Sequence, residues 1–509
     1  MENRLSRRLT RLGGDLKRFT RGFGKCGRGN VAVTFAVALI PIMTIAGASV
    51  DVSRAYVVKA RLTQALDAAG LAVAGTPGAS ETRLKELAQS FFNANYPAAE
   101  IGVPGDLQVT LGQNVVTLAV SASLPTVLLG IVGVDEMTVG SEVEVTRETK
   151  GLEVVMVLDN TGSMGSRGKI DALKTASESM IEILFGDQTH PEKLKMGLVP
   201  FSAGVNVGTE FAQDYLDMNG LSSIHDENFT PGTNLWDLYA EIRNRSWTGC
   251  VQTRPSPLDE EDAEPNSGNP DTLWVPWFAP DEPDRSRYYY YSNNYLSDDA
   301  HRNDDEEERQ RNTSKYDNAW VSSSSRGPDD GCDMRPITPM TNDRDYLLDE
   351  IDAMNASGVT HIPVGLAWGW RVISPGAPYT EGKAYDDPEV NKAIILLTDG
   401  ENVLGTQNNH NGSYYTAYGY LAEGRLGTTN GWTASNRLDD KTAQICENIK
   451  ERGIRLYTIT FQVSSSSTQT LMRECATSPS LYFDSPSNEE LTTVFQAIAR
   501  DLSNLRLSR

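Results

Sequence analysis

Val154-Val155-Met156-Val157-Leu158-Asp159-Asn160-Thr161-Gly162-Ser163-Met164 is an apolar run that gives way, within one residue, to oxygen-bearing side chains. Five consecutive apolar residues rich in valine, bounded by turn formers, read as a parallel strand buried on both faces. In open α/β sheets ligands bind beyond the carboxyl ends of the strands. Asp159, Thr161 and Ser163 fall there. Lys392-Ala393-Ile394-Ile395-Leu396-Leu397-Thr398-Asp399-Gly400 repeats the arrangement and delivers a second carboxylate. Two such strand ends, side by side, can share one ion.

A D-x-[ST]-x-S segment, a lone Thr360 after Ser357-Gly358-Val359, and a later Thr398-Asp399-Gly400 together resemble the metal-ion-dependent adhesion site of von Willebrand factor A domains. The resemblance implies that Thr161, Ser163 and Thr360 coordinate a metal directly, while Asp159 and Asp399 act through bound water or as acceptors beyond the metal's own ligands. Hydroxyl and carboxylate oxygens suit magnesium, with calcium or manganese as alternatives. No cysteine lies in these segments and His361 is the one nearby imidazole, so zinc has little support. The resemblance further implies that a protein ligand offers a carboxylate to an open metal position.

Around this core, residues 152–509 alternate strand and helix as a doubly wound, Rossmann-like domain does. Strands are expected at Leu194 to Phe201, Arg455 to Phe461 and Leu481 to Asp484, and helices at Lys169 to Phe185, Asn342 to Met354, Leu438 to Arg452 and Asn488 to Leu505. Residues 206–340 exceed what a compact version needs and read as an insertion. Trp247, Trp274, Trp277, Phe278 and Trp320 give it core material, yet its acidic runs, Asp259 to Asp262 and Asp304 to Glu308, read as solvated, and part of it is expected to be disordered. Tyr288 to Tyr291 reads as a contact surface or as packing within the insertion. Of Trp368 and Trp370, one is expected in the core, with a place at the site rim as an alternative for the other.

The N-terminal third is of another kind. Residues 1–30 carry nine Lys or Arg against Glu2 and Asp15, a net +7 within a chain total of −22, which leaves −29 for the remainder. Val31 to Val50 is twenty residues without a charge, long enough to cross a bilayer as a helix, with a kink expected at Pro41. The positive-inside rule keeps residues 1–30 cytoplasmic and exports the rest. Ala46-Gly47-Ala48 also fits a signal-peptidase site; retention as an anchor is favoured because no helix breaker follows. An acidic exported surface argues against nucleic acid as a partner. With Cys26 on the cytoplasmic flank, Cys250, Cys332, Cys446 and Cys475 remain for two disulfides in an oxidising compartment; pairing Cys250 with Cys332 and Cys446 with Cys475 keeps each within one region.

After the span, Arg54 to about Gly75 continues as an amphipathic rod ended by Thr76-Pro77-Gly78. A helix capped by Ser80 runs from Glu81 to Asn95, and beyond Pro97 come a hairpin (Leu107 to Leu111 and Val115 to Val120, turning at Gly112 to Asn114) and a strand from Glu142 to Thr146. The basic leader ending Arg28-Gly29-Asn30, the apolar helix, Asp51, the rod and the small sheet together resemble TadE/TadG-type proteins of tight-adherence (Flp) pilus systems. That implies a pilin-like α+β region over residues 51–147. Prepilin processing after Gly29 is disfavoured, because position five then holds Thr34 rather than Glu.

Enzymatic readings fit poorly. Haloacid-dehalogenase-type phosphotransferases need an Asp at position 161, aspartic proteases an uninterrupted Asp-Thr-Gly, and no G-x-S-x-G elbow is present. The expectation is a single-pass protein of a bacterial inner membrane, its bulk periplasmic or extracellular. It would bind a protein partner through its metal site in pilus assembly or adhesion, among pilus or envelope components. The alternatives are a structural scaffold or minor pseudopilin in which the metal only stabilises the fold, and an assembly factor for another exported complex.

Overall fold

The computed structural model describes residues 30–76, 81–96, 102–111, 115–146, 150–284, 289–301 and 303–507. The basic leader with Cys26 and Gly29, Pro77, Gly78, Ser80, Pro97, the turn at 112–114 and Tyr288 lie outside them. The chain divides into two compact units, the sequence passing from the first to the second at residues 148–149.

In the first unit, helix α1 (Asn30–Ala74) runs 45 residues without a break, continuing through Pro41. Among the described residues it is the one helix long and apolar enough to cross a membrane. Its two halves differ in what they pack on. Val31, Phe35, Ile40 and Ile45 are all more than half exposed, whereas Val58, Leu62, Leu66, Ala69 and Val73, at helical spacing, are fully buried. Helix α2 (Glu81–Asn95) buries Leu84, Ala88 and Phe92 at the same period. A four-stranded antiparallel sheet completes the unit: β1 (Val103–Pro104) and β2 (Gln108–Leu111) pair with successive stretches of β3 (Val115–Pro125), and β4 (Glu136–Thr146) pairs along its whole length. Inward Val116, Leu118, Val120, Ala122 and Leu124 show the period of two of a half-buried strand. The expected third strand at Glu142 to Thr146 begins six residues earlier.

The second unit is built on β5 (Gly151–Asp159), β6 (Leu194–Phe201), β9 (Thr338–Thr341), β10 (Val390–Thr398), β11 (Arg455–Phe461) and β12 (Tyr482–Ser485), with β7 (Val205–Asn206) and β8 (Cys250–Val251) pairing apart from them. The sheet runs β9-β6-β5-β10-β11-β12; all neighbours are parallel except the edge strand β9. Numbered from β5, that is the doubly wound order 3-2-1-4-5-6, whose switch point lies between β5 and β10. Val154, Met156 and Leu158 face one apolar layer, with helices α3 (Lys169–Phe185), α6 (Arg344–Asp352) and α10 (Asn488–Leu507). Val155 and Val157 face the other, with α7 (Ile362–Ile373), α8 (Gly431–Glu451) and α9 (Ser466–Cys475). Every residue of α7 is buried. It lies close on the sheet because Gly365 and Gly369, one turn apart, leave room for Phe201 and Val157.

Between β6 and β9 the insertion is folded where it is described, including α4 (Leu235–Glu241) and α5 (Glu306–Arg311). Among its described residues, Phe229, Leu235, Leu238, Tyr239, Phe278, Tyr295 and Tyr316 make a core of their own, while Trp274 and Trp277 join the main one. The Asp259–Asp262 run is not simply solvated, because Asp259 is buried against Lys441 at 2.7 Å. The other run is: Asp305 caps α5 through the Glu308 amide, with Glu307 and Glu308 exposed. Trp320 stays 60% exposed and adds nothing to the core. Tyr289 and Tyr290 are exposed, whereas Tyr291 is buried on His410 at 2.7 Å. Trp368 and Trp370 are both buried, so neither rims the site; the Arg371 guanidinium covers Trp368 and donates to the Leu258 and Glu261 carbonyls. β9, at the end of the expected insertion, returns to the main sheet. It contains Pro339, and an edge strand accommodates the missing donor.

Candidate metal centre

β5 ends at Asp159, which is fully buried. Its Oδ1 accepts the Thr161 amide at 2.9 Å, the local turn expected of Asp at a strand end. Its Oδ2 accepts the Thr398 hydroxyl at 2.8 Å and the Asp399 amide at 3.4 Å, tying β5 to β10. The turn places the Thr161 and Ser163 hydroxyls 3.0 Å apart. Ser163 Oγ then donates to Asp399 Oδ1 at 2.6 Å.

The third part arrives on the loop before α7. Gly162 donates to the Gly358 carbonyl at 2.9 Å and Ser357 to the Asn160 carbonyl at 2.8 Å, so the two loops are joined through their backbones. Thr360 is held from the other side by the Val403 amide on its carbonyl, at 3.0 Å, and its hydroxyl lies 3.9 Å from where a Cβ on Gly400 would stand. All five expected residues therefore lie on three adjoining loops at the switch point. Asp159, Thr161, Thr360 and Asp399 are buried; Ser163 is exposed and forms the solvent side.

Two further groups belong to the site. Lys169, the first residue of α3, places Nζ 2.8 Å from Asp399 Oδ2 with its side chain 9% exposed. Thr398 orients Asp159 as described. Asn160 Oδ1 is buried without a hydrogen-bond partner among the described residues, while its Nδ2 donates to the Asn355 carbonyl at 3.1 Å. Lysine ten residues after the strand end was legible as the start of the helix but not as a partner of Asp399, since that pairing spans 230 residues.

Burial, and then the Asp399 carboxylate beside it, push Asp159 up to about 6. His361 is driven down to about 4 by burial, so its imidazole is neutral. Among the described residues no three His, Cys, Asp or Glu side chains cluster as a metal site. Ion binding here would depend on the hydroxyls, a donor set that suits a divalent cation.

The cysteines lie apart from this centre. Cys250 is bonded to Cys332 with Cα atoms 5.9 Å apart, and Cys446 to Cys475 at 5.1 Å. The first closes the base of the insertion, the second joins α8 to α9.

Comparison with known proteins bears on both units. The family described as "Putative Flp pilus-assembly TadE/G-like" matches residues 29–76. No curated protein matches in sequence. Among solved structures, the pilus adhesin SpaC from Lactobacillus rhamnosus GG in its open conformation is 10% identical, covering 79% of this chain and 34% of its own, with a TM-score of 0.33. This chain thus spans about a third of SpaC. The von Willebrand factor domain of the type V pili tip protein Mfa5 from Porphyromonas gingivalis is 11% identical, covering 71% and 97%, with a TM-score of 0.35. Proximal thread matrix protein 1 from the mussel byssus, with a zinc-occupied MIDAS motif, is 10% identical, covering 70% and 46%, with a TM-score of 0.30. The chain joins an N-terminal segment similar to the TadE/G-like family to a mixed α/β domain of doubly wound strand order.

Proposed function

We propose that this chain is a membrane-anchored component of a Tad (Flp) pilus system whose A domain, outside the cytoplasm, binds a protein partner through a divalent cation, magnesium first. The observation that carries this reading is the chain of oxygens Thr161 Oγ1, Ser163 Oγ and Asp399 Oδ1, at 3.0 and 2.6 Å, at the switch point of the sheet. Thr161, Ser163 and Thr360 would hold the ion, with Asp159 and Asp399 fixing the hydroxyls and any bound water. A cation held mainly by neutral oxygens offers an open position to a partner's Asp or Glu. Residues 31–50 anchor the chain, with the basic leader on the cytoplasmic side.

Capture of partners from envelope extracts, with and without chelator, tests this. Chelation, Asp159→Ala and Thr360→Ala should each abolish capture while circular dichroism stays unchanged; capture that survives both substitutions rejects the metal-dependent reading.

The Lys169–Asp399 ion pair favours a second reading, a structural scaffold, because it supplies positive charge to Asp399 from within the chain. Chelation would then lower the melting temperature and leave capture intact.

A further inference from the structure

Asp51 follows the last residue of the uncharged stretch and is fully buried. Its Oδ1 accepts the Val127 amide at 2.9 Å, and its Oδ2 accepts those of Leu128 at 3.0 Å and Leu129 at 2.9 Å. Arg54 stands 3.5 Å from the same carboxylate and donates to the Pro125 carbonyl at 3.2 Å. The turn between β3 and β4 is thereby fastened to α1 at the level where the apolar stretch ends.

It reaches further down. A Cβ on Gly47 would stand 2.4 Å from Leu128 Cβ, so Leu128 packs on the bare helix backbone there. Gly47 lies one turn before Asp51, roughly 6 Å along the helix axis at 1.5 Å per residue. The turn itself is Thr126-Val127-Leu128-Leu129-Gly130-Ile131-Val132-Gly133-Val134, nine residues without a charge. Val127 is 59% exposed, Ile131 77%, Val132 50% and Val134 44%. Four exposed aliphatic side chains on one turn form a patch that water disfavours.

The backbone is suited to a dry setting as well. Besides the three amides on Asp51, the amide of Thr126 bonds the Asp135 carbonyl, that of Ile131 the Leu128 carbonyl, that of Gly133 the Gly130 carbonyl and that of Val134 the Leu129 carbonyl. Paired amides remove the main cost of bringing non-helical backbone into a lipid interface.

We propose that residues 126–134 are a second membrane contact: a lipid-dipping turn that enters the headgroup and upper acyl region of the leaflet from which α1 emerges. The occupant is the bilayer, because the turn's apolar surface is continuous with the exposed apolar surface of the span at Gly47. The proposal rests on the reading of residues 31–50 as membrane-spanning. Its consequence is orientational: an anchor fixed at two points cannot swivel freely about the helix axis, so the small sheet is held at a set height and angle above the lipid.

The test uses the full chain carrying Cys26→Ser, reconstituted in phosphatidylcholine vesicles. Versions with one free cysteine beside the two disulfides, Ile131→Cys, Ile40→Cys and Leu71→Cys, are labelled with an environment-sensitive fluorophore and exposed to lipids bearing a shallow or a deep spin label. Ile40 lies within the span, and Leu71 stands 20 residues beyond Asp51, about 30 Å along the helix. The expected result is quenching at position 131 by the shallow label, to at least half the extent that the deep label quenches position 40, with position 71 unquenched. Quenching at 40 with position 131 behaving like 71 overturns the proposal and leaves the anchor intact. Absence of quenching at 40 overturns the anchor reading and the turn's lipid contact with it.

Discussion

Ser163 Oγ donates to Asp399 Oδ1 across 2.6 Å, linking the turn after β5 to the end of β10 over 236 residues of sequence. The donor's exposure and the acceptor's burial give the centre one face toward solvent and one toward the core. The metal-dependent account turns on that face, and the chain's other contacts yield predictions of their own.

Lys169 and Asp399 form a buried pair, and removing one partner of such a pair leaves an uncompensated charge worth about 3–5 kcal/mol. Lys169→Met should lower the stability of the chelated protein by about 3 kcal/mol. Magnesium should recover part of that loss, so the metal-induced rise in melting temperature exceeds that of the unaltered chain. Equal rises in both proteins would mean that the lysine and the ion do not share Asp399.

Gly365 sets how closely α7 approaches the sheet. A methyl group there would stand 2.4 Å from Phe201 Cγ. Overpacking of this kind costs about 1–3 kcal/mol. Because Thr360 precedes α7 by two residues, Gly365→Ala should weaken both urea resistance and magnesium affinity. Denaturation curves and metal titrations on the same preparation check the pairing.

Each disulfide closes a loop, of 82 residues for Cys250–Cys332 and 29 for Cys446–Cys475. Loop-closure entropy assigns the shorter one about 3–4 kcal/mol. The double substitution Cys446→Ser with Cys475→Ser should lower the unfolding free energy by that order, read from equilibrium denaturation, and non-reducing mass spectrometry of the native chain should recover both bonded peptides.

Glu423 accepts the Tyr420 amide, and burial, with Glu227 next, pushes it from the ordinary 4.5 up to about 8. The folded chain therefore binds this proton more tightly than the unfolded chain. Between these two values folding takes up a proton, so its contribution to stability is fully present below about 4.5 and is lost as pH rises to about 8. Glu423→Gln should flatten the fall in melting temperature over that window, measured against the unaltered chain in the same buffers.

Much of the site was legible because its chemistry begins where hydrophobic strands stop. Val154 to Leu158 and Ile394 to Leu397 have no polar residue to interrupt a buried strand, so the oxygens following them could be placed at the sheet's carboxyl edge. Thr360 was harder, since its position depends on the Gly162–Gly358 and Asn160–Ser357 backbone bonds between distant loops. Lys169 was read only as a helix residue. The first acidic run of the insertion misled for a compositional reason: its charge suggested a solvated segment, whereas Asp259 pairs with Lys441 from α8, a partner 182 positions away that no local pattern announces. Asp51 stood out beside the long apolar stretch, but its three amide donors come from a turn some 76 residues later.

The central claim is most directly tested by titrating magnesium into the detergent-solubilised full chain and measuring heats of binding, alongside a Thr161→Ala, Ser163→Ala double variant of unchanged circular dichroism. The account predicts saturable one-site binding in the unaltered chain, weakened at least tenfold, about 1.4 kcal/mol, in the variant. Absence of binding in the unaltered chain, or equal affinity in both, would contradict it.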